Sequence, residues 1–504
     1  MEEQLPIIII AVPLFAALLV TALWWVDKRV CFPITIIAGL ASLIASIGLL
    51  LQVLSGGAVD YRLGGWPPPF GIAYRIDHLN SLIIVAVSLV SLLNLAGSRT
   101  IVQKEFQDKL GAFYALYLLF TTGLLGILIT GDAFNLYVLL EIASLTGYAL
   151  IGLGQRRAPL SGLNYLFMGT IGASLYLLGV GYLYVITGTL NMVDMARILP
   201  STLPSNVVVL AFILCLSGLF VKMALFPLHG WLPNAYTYSP SVVSSLVAPL
   251  TTKVMIYAMF RVMLTIFSID FSLNSVAIRL PIIWLAIAAI VMGSIMALAQ
   301  KRLKKMLAFI VVAEVGYMVG GFWLGNRAGM SGAVLHVIND AVMTLCVFMA
   351  AGAIVYKTED DRLSSLKGVF RKMPVSMAAM VVGGLSLIGV PPTCGFFSKW
   401  YLISGGMSAG QYGFVAALLF SSLVNTVLFF RLFEIGYFEP FASDKHHRQH
   451  NHTDHSNRSD SIAEAPLDVL VPLLTTAVLL LVLGIYSGEI VTKVIDYVIP
   501  AVIG

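Results

Sequence analysis

The segment ALFPLHGWLPNAYTYSPSVVSSLVAPLTTKV, residues 224–254, decides how the chain is read. It follows an apolar run that ends near Lys222 and is interrupted by Pro227, Gly230 and Pro233. A second apolar run then begins, carrying Pro249 and, one turn later, Lys253. Proline removes an intrahelical hydrogen bond and crowds the preceding turn. In hydrocarbon, the backbone groups so freed need buried partners or water. Lysines on both sides of such an interruption point to a helix broken inside a membrane where charge is handled.

The rest of the sequence agrees with a membrane setting. Of 504 residues, 59% are hydrophobic and only 11% charged, and the mean hydropathy is +0.93. A soluble chain of this size would carry about a quarter charged residues. Runs of roughly 20 apolar residues, enough to cross a bilayer as a helix, recur from end to end. The short alternating segments of a membrane β-barrel are absent. The fold class is therefore an all-α polytopic membrane protein of about 14 helices. The expected spans are 5–26, 32–54, 78–98, 111–130, 132–153, 161–187, 206–226, 240–267, 279–299, 304–325, 329–355, 374–404, 409–433 and 466–486. No signal peptide with a cleavage site is apparent, and the first run is long enough to stay as an anchor. The tail Ile490–Ile503 is apolar but short, and an interfacial position is expected for it.

Loop charge supports this parse. Twenty basic residues fall in the odd-numbered loops, including Lys28, Arg156, Arg157, Lys301, Lys304 and Arg362, against five in the even-numbered ones. The positive-inside rule then places odd loops in the cytoplasm and both termini on the outer side of an inner membrane. Arg261 falls near a helix end, from which it is expected to reach the interface. The basic pI reports this topology and does not imply nucleic acid. Cys31, Cys215, Cys346 and Cys394 stand singly in apolar runs, without metal or redox spacing. The polar stretch Lys445–Glu464 contains His446, His447, His450, His452 and His455. A disordered cytoplasmic loop is the expected reading, with metal binding as the alternative.

Glu141, Lys222, Lys253, Glu314, His336, Asp340 and Lys399 all fall within spans. On insertion scales a charge at mid-bilayer costs about 2.5–3.5 kcal/mol, so seven of them ask for a common cause. Their chemistry suits protons. A desolvated lysine can release its proton, a neighbouring carboxylate can restore its charge, and histidine titrates near neutrality. A second interruption, Pro391–Pro392, precedes Lys399 by about two turns, five spans after the first. Breaks so placed suggest two inverted five-helix repeats around an ion path.

These stretches resemble a known family. GDAFNLYVLLE (131–141), the segment 224–254 and GLSLIGVPPTCGFFSKW (384–400) are similar to the antiporter-like subunits. That superfamily includes the D-type subunit of Mrp-type cation/proton antiporters, the pumping subunits of complex I and counterparts in membrane-bound hydrogenases. The likeness covers roughly spans 4 to 13. It implies fourteen helices, two inverted five-helix repeats, and broken seventh and twelfth helices. The corresponding division of the chain is 1–110, 111–267, 279–433, 434–465 and 466–504. It implies a proton relay of Glu141, Lys222, Lys253, His336 and Lys399, with helix breaks at Pro227, Pro249, Pro391 and Pro392. His229 joins Glu314 and Asp340 as a further relay or cation-site candidate. The sequence departs from the family pattern in the tenth span, AFIVVAEVG with Glu314, and after His336, where Asp340 and Thr344 stand. Asp340 and Glu314 are open to two readings, cation binding or an ion pair with Lys253.

Three functional readings follow. The first is a subunit of a sodium/proton antiporter. The second is a proton-pumping subunit of a redox-driven complex, and the third a non-conducting scaffold. No cofactor is expected, since nothing in the chain would bind flavin, iron–sulfur or nickel. Catalytic chemistry of its own and quinone binding likewise have no support. The expected partners are other membrane subunits, protons, sodium ions in the antiporter case, and lipid.

Overall fold

A computed structural model of the protein describes residues 4–202, 205–275, 277–438 and 464–498. Nearly all of the His-rich stretch, and the last residues of the tail, lie outside the described residues. The first six long helices are α1 (Leu5–Leu23), α2 (Cys31–Gly56), α3 (His78–Ala96), α4 (Leu110–Ile129), α5 (Ala133–Gly152) and α6 (Ala158–Thr187). The seventh span is two pieces, α7 (Asn206–Lys222) and α8 (Leu232–Tyr238), followed by α9 (Ser241–Arg261). Next come α10 (Arg279–Leu298), α11 (Leu303–Trp323) and α12 (Arg327–Thr358). The twelfth span is again divided, into α13 (Pro374–Ile388) and α14 (Cys394–Ser408), before α15 (Tyr412–Tyr437) and α16 (Leu467–Ile485). Among the described residues twelve helices are long and apolar enough to cross a membrane, and α7 and α13 are shorter apolar helices. The multi-pass architecture expected from the sequence is present. A small hairpin between α2 and α3 departs from it, with β1 (Val59–Arg62) antiparallel to β2 (Ala73–Ile76) and Val59 opposite Ile76.

Helix ends follow local chemistry. Asp77 caps α3 through Leu79 N at 3.0 Å, and Asp132 caps α5 through Asn135 N at 2.7 Å. Each occupies an orphan amide of the first turn. Gly389, at φ 91°, ends α13 in the left-handed region that glycine adopts without a side-chain clash. Backbones approach closely where side chains are smallest. A Cβ on Gly172 of α6 would meet Gly218 O of α7 at 2.9 Å, the small-residue contact by which membrane helices gain dispersion energy.

Burial sorts the helices into layers. The apolar windows of α9, α11 and α12 are 100% buried, whereas those of α1, α2 and α6 are 33–39% buried. The outer three therefore lie at the periphery of the bundle, while the inner three form its axis. That axis carries Lys253, Glu314, His336 and Asp340.

Three expectations need correction. Pro249 does not break its helix, because α9 runs unbroken from Ser241 to Arg261 with every residue buried. Packing on all sides holds the helix together despite the missing amide. Arg261, near its helix end, is not left as a solvated charge. It is 4% exposed and makes a two-pronged ion pair with Asp77, Nη1–Oδ2 2.6 Å and Nη2–Oδ1 2.9 Å. Lys304, expected in a loop, lies in the first turn of α11. It is buried and donates to Ser239 O and Ser244 Oγ, each at 3.0 Å.

Candidate functional site

The ionisable side chains fall into three groups along the bundle. In the first, α5 presents Glu141 and α7 ends on Lys222. Lys222 Nζ lies 3.4 Å from Glu141 Oε1 and donates to Ser144 Oγ at 2.7 Å, with Tyr148 OH at 3.4 Å. Lys222 is 2% exposed and Glu141 24% exposed at the side chain. The ammonium is thus sealed in while its carboxylate keeps contact with the outside of the bundle. At 3.4 Å the pair is loose, and the closest bond of the ammonium goes to an uncharged hydroxyl. Such a pair can open with little rearrangement.

Aromatic rings continue inward from there. Tyr148 meets Tyr165 edge-on with centroids 4.5 Å apart, Tyr165 stacks on Trp231 at 3.8 Å, and Trp231 contacts Tyr236 at 6.3 Å. Trp231 is the last residue of the interruption and donates Nε1–H to Val221 O at 3.1 Å, which satisfies one carbonyl at the broken end of α7. Pro227 lies within the interruption between α7 and α8, as expected.

The second group is central. Lys253 Nζ is 2.8 Å from Asp340 Oδ2, with side-chain exposures of 1% and 0%. Thr344 Oγ1 accepts from Lys253 at 3.2 Å and donates to Asp340 Oδ1 at 2.7 Å. Asp340 and Thr344 together therefore surround the Lys253 ammonium. This closes one open reading, since Asp340 is the partner of that lysine. Glu314 is different. It is fully buried, no donor reaches either carboxyl oxygen among the described residues, and the carboxyl faces that of Asp340.

The third group surrounds the second break. Lys399 is the sixth residue of α14 and turns back to the end of α13. It donates to Leu387 O at 2.7 Å, Ile388 O at 3.2 Å and Ser422 Oγ at 3.1 Å. A helix that stops inside the bundle leaves its last carbonyls without amide partners, and a cation there meets the negative end of the helix dipole. Pro391 and Pro392 keep α14 from continuing α13 and so expose these carbonyls. Lys399 Nζ also lies 5.2 Å over the Tyr317 ring. His336 Nδ1 is 2.8 Å from Ser398 Oγ, and its ring is 5.4 Å from that of Tyr317.

His229 is not brought into this file. It stacks on Phe226 at 5.1 Å and meets Phe309 at 6.3 Å, with no ionisable neighbour among these contacts. Ser144, Tyr148, Thr344, Ser398, Ser422 and Tyr317 were missed as ligands of the charged groups. For two of them a signal existed: Ser144 follows Glu141 by three residues, on one helix face, and Ser398 adjoins Lys399. Among the described residues no group of three or more His, Cys, Asp or Glu is arranged to hold a metal ion.

The chain as a whole has counterparts among known proteins. Residues 130–425 match the family described as NADH:quinone oxidoreductase/Mrp antiporter, TM. The chain belongs to this family. Within it, the chain is similar to the NADH-quinone oxidoreductase subunit N of Desulforudis audaxviator, at 42% identity over 506 residues and 99% of each chain. It is also similar to the D-type subunit of the Na(+)/H(+) antiporter of Bacillus subtilis, at 31% identity over 389 residues, covering 77% of this chain and 78% of that one. Among solved structures, a chain of the membrane-bound sulfane sulfur reductase, an archaeal respiratory membrane complex, superimposes with a TM-score of 0.88. That match has 30% identity and covers 97% of this chain and 96% of the other. The family resemblance read from residues 131–141, 224–254 and 384–400 is thereby established.

Proposed function

We propose that this family member translocates protons as a membrane subunit of a redox-driven respiratory complex, working beside other membrane subunits. The observation that carries the reading is the file of buried lysines, each on a different kind of partner. Lys222 holds a carboxylate loosely, Lys253 holds one tightly, and Lys399 rests on carbonyl oxygens. Buried charges cost free energy, and three arranged in sequence do not serve stability. A proton reaching Lys222 while Glu141 is near can pass inward when Glu141 moves away. Recharging of Lys253 against Asp340 and release at Lys399 beside His336 complete the passage. The two five-span blocks, 111–267 and 279–433, act as inverted repeats around this path, with odd loops in the cytoplasm and both termini outside an inner membrane. The redox-driven assignment is supported by similarity along the full length of the chain to an NADH-quinone oxidoreductase subunit N and to a chain of an archaeal respiratory membrane complex.

Exchange of sodium for protons is the second reading, favoured by the similarity to an antiporter subunit of the D type. Inverted membrane vesicles holding the intact complex, with a pH-sensitive dye, separate the two. Acidification that requires a reductant supports the redox-driven reading. A preformed proton gradient that collapses on adding Na⁺, without any electron donor, overturns it in favour of antiport.

A further inference from the structure

We infer that Glu314 is a proton carrier between the Lys253–Asp340 pair and Lys399, an inference that rests on the proton-translocating reading above. Glu314 stands half-way along α11, one turn before Tyr317, whose ring underlies Lys399. It is 0% exposed, no donor of another residue reaches either of its oxygens among the described residues, and its carboxyl lies within hydrogen-bonding reach of the Asp340 carboxyl. Asp340, Lys253 and Lys399 all lie near enough to act on it electrostatically.

The two lysines treat acids differently. Lys253 is satisfied by Asp340 and Thr344. Lys399 is bonded to Leu387 O, Ile388 O and Ser422 Oγ, all uncharged acceptors. Glu314 and Asp340 are the acids whose charge it feels, and Asp340 is already held by Lys253. Glu314 is thus the acid left to serve Lys399. A carboxyl group with no donor turned toward it is tolerated in hydrocarbon as the uncharged acid, and becomes an anion only with a cation beside it. Such a group can carry one proton and exchange it.

The step balances without a co-reactant. Among the described residues Glu314 forms no ion pair with either lysine at rest, so the step requires its side chain to swing to Lys399. There the O–H bond of the acid breaks as an N–H bond forms on the neutral amine, leaving a carboxylate beside an ammonium. The carboxylate then takes a proton from the Lys253 ammonium, and the resulting amine stays hydrogen-bonded to Asp340 until it is recharged from the Lys222 side. This route gives a function to a side chain that costs stability where it stands.

The test uses the intact complex in membrane vesicles and compares Glu314→Gln, Glu314→Asp and Glu141→Gln, each checked for assembly on native gels. Infrared difference spectra with and without the driving reaction are recorded in the carboxylic C=O stretching region, in H₂O and D₂O. The expected result is at least tenfold slower proton transport in the assembled Glu314→Gln variant, with partial recovery in Glu314→Asp. A carboxylic band shifted by D₂O and absent from the glutamine variant completes it. Wild-type transport by Glu314→Gln beside an inactive Glu141→Gln overturns the carrier role and leaves the general reading standing. Wild-type transport by both overturns the general reading. Slow transport with no band that depends on Glu314 overturns the carrier role in favour of a structural one.

Discussion

Lys253 on α9 and Asp340 on α12 are joined at 2.8 Å in a place where neither side chain is more than 1% exposed. Thr344, one turn beyond Asp340, bonds to both. The pair ties α9 to α12 across the middle of the bundle. Removing one member of a buried pair strands the other, at about 3–5 kcal/mol. Asp340→Asn is therefore expected to lower the melting temperature of the purified protein sharply and to stop proton transport. The double variant Lys253→Met/Asp340→Leu separates the two effects. Apolar replacement of a whole buried pair is often neutral or stabilising, so its melting temperature should return to near wild type while transport stays absent. Transport recovering along with stability would show that the pair serves structure alone.

The outer pair calls for a milder set of changes. Lys222 Nζ makes its shortest bond to Ser144 Oγ, 2.7 Å, against 3.4 Å to Glu141 Oε1. Glu141→Ala and Lys222→Ala are each expected to abolish ion coupling without preventing membrane assembly, as measured by vesicle acidification and native gels. Hydrogen bonds to charged groups contribute about 1.5–3 kcal/mol, so Ser144→Ala should slow transport by roughly tenfold or more without abolishing it. An unaltered rate in Ser144→Ala would mean that the hydroxyl does not set the resting position of the ammonium.

Most of this file is legible in the sequence because charge in hydrocarbon is costly and therefore rare. Glu141, Lys222, Lys253, Glu314, His336, Asp340 and Lys399 stand out from their apolar neighbours by residue type alone. The two broken spans are legible for a related reason, since Pro227 and Pro391–Pro392 fall inside apolar runs of membrane length. Pairing is harder to read. Arg261 and Asp77 are 184 residues apart, and no local pattern links a residue near one helix end to the cap of another. Lys304 sits at the edge of a basic cluster, where only tertiary packing distinguishes a buried side chain from a solvated one. Pro249 shows the limit of propensity, because a helix packed on every side tolerates the amide it lacks. The choice between an ion pair and a cation site at Asp340 needed the distance to Lys253.

The Arg261–Asp77 pair lends itself to a pH test. Burial alone would push the Asp77 carboxyl up, but the Arg261 guanidinium, with Arg75 beside it, outweighs burial and holds it below the usual carboxylate range. A depressed folded-state value stabilises the protein at every pH above the unfolded carboxylate value. That stability is lost as pH falls below roughly 4 toward the folded value. Asp77→Asn should then lower stability by about 2 kcal/mol near neutrality, and the gap to wild type should narrow on acidification. Melting temperatures measured from neutral pH downward check this. A gap that stays constant with pH would mean that the loss comes from the α3 cap alone and not from the ion pair.

The break that holds Lys399 depends on a glycine in the last long helix. A Cβ on Gly484 of α16 would run into Pro392 O, and would lie 2.9 Å from Thr393 C and 3.0 Å from Cys394 N. Those are backbone atoms of the interruption between α13 and α14, so a flexible side chain cannot relieve the clash. Gly484→Ala must shift either α16 or the break. The nearest functional consequence is at the Leu387 and Ile388 carbonyls, which receive Lys399 at 2.7 and 3.2 Å. A displacement of about 1 Å at such a contact ends a hydrogen bond. Gly488, four residues further on, provides a control, since a Cβ there meets nothing within 4 Å. Gly484→Ala is expected to slow proton transport at least tenfold in assembled protein while Gly488→Ala transports normally. A thiol-reactive probe on Cys394, buried beside the break, should label faster in the Gly484→Ala variant if the break has opened. Unchanged labelling together with unchanged transport would mean that α16 yields instead, and that the break is held by α12 and α15 without it.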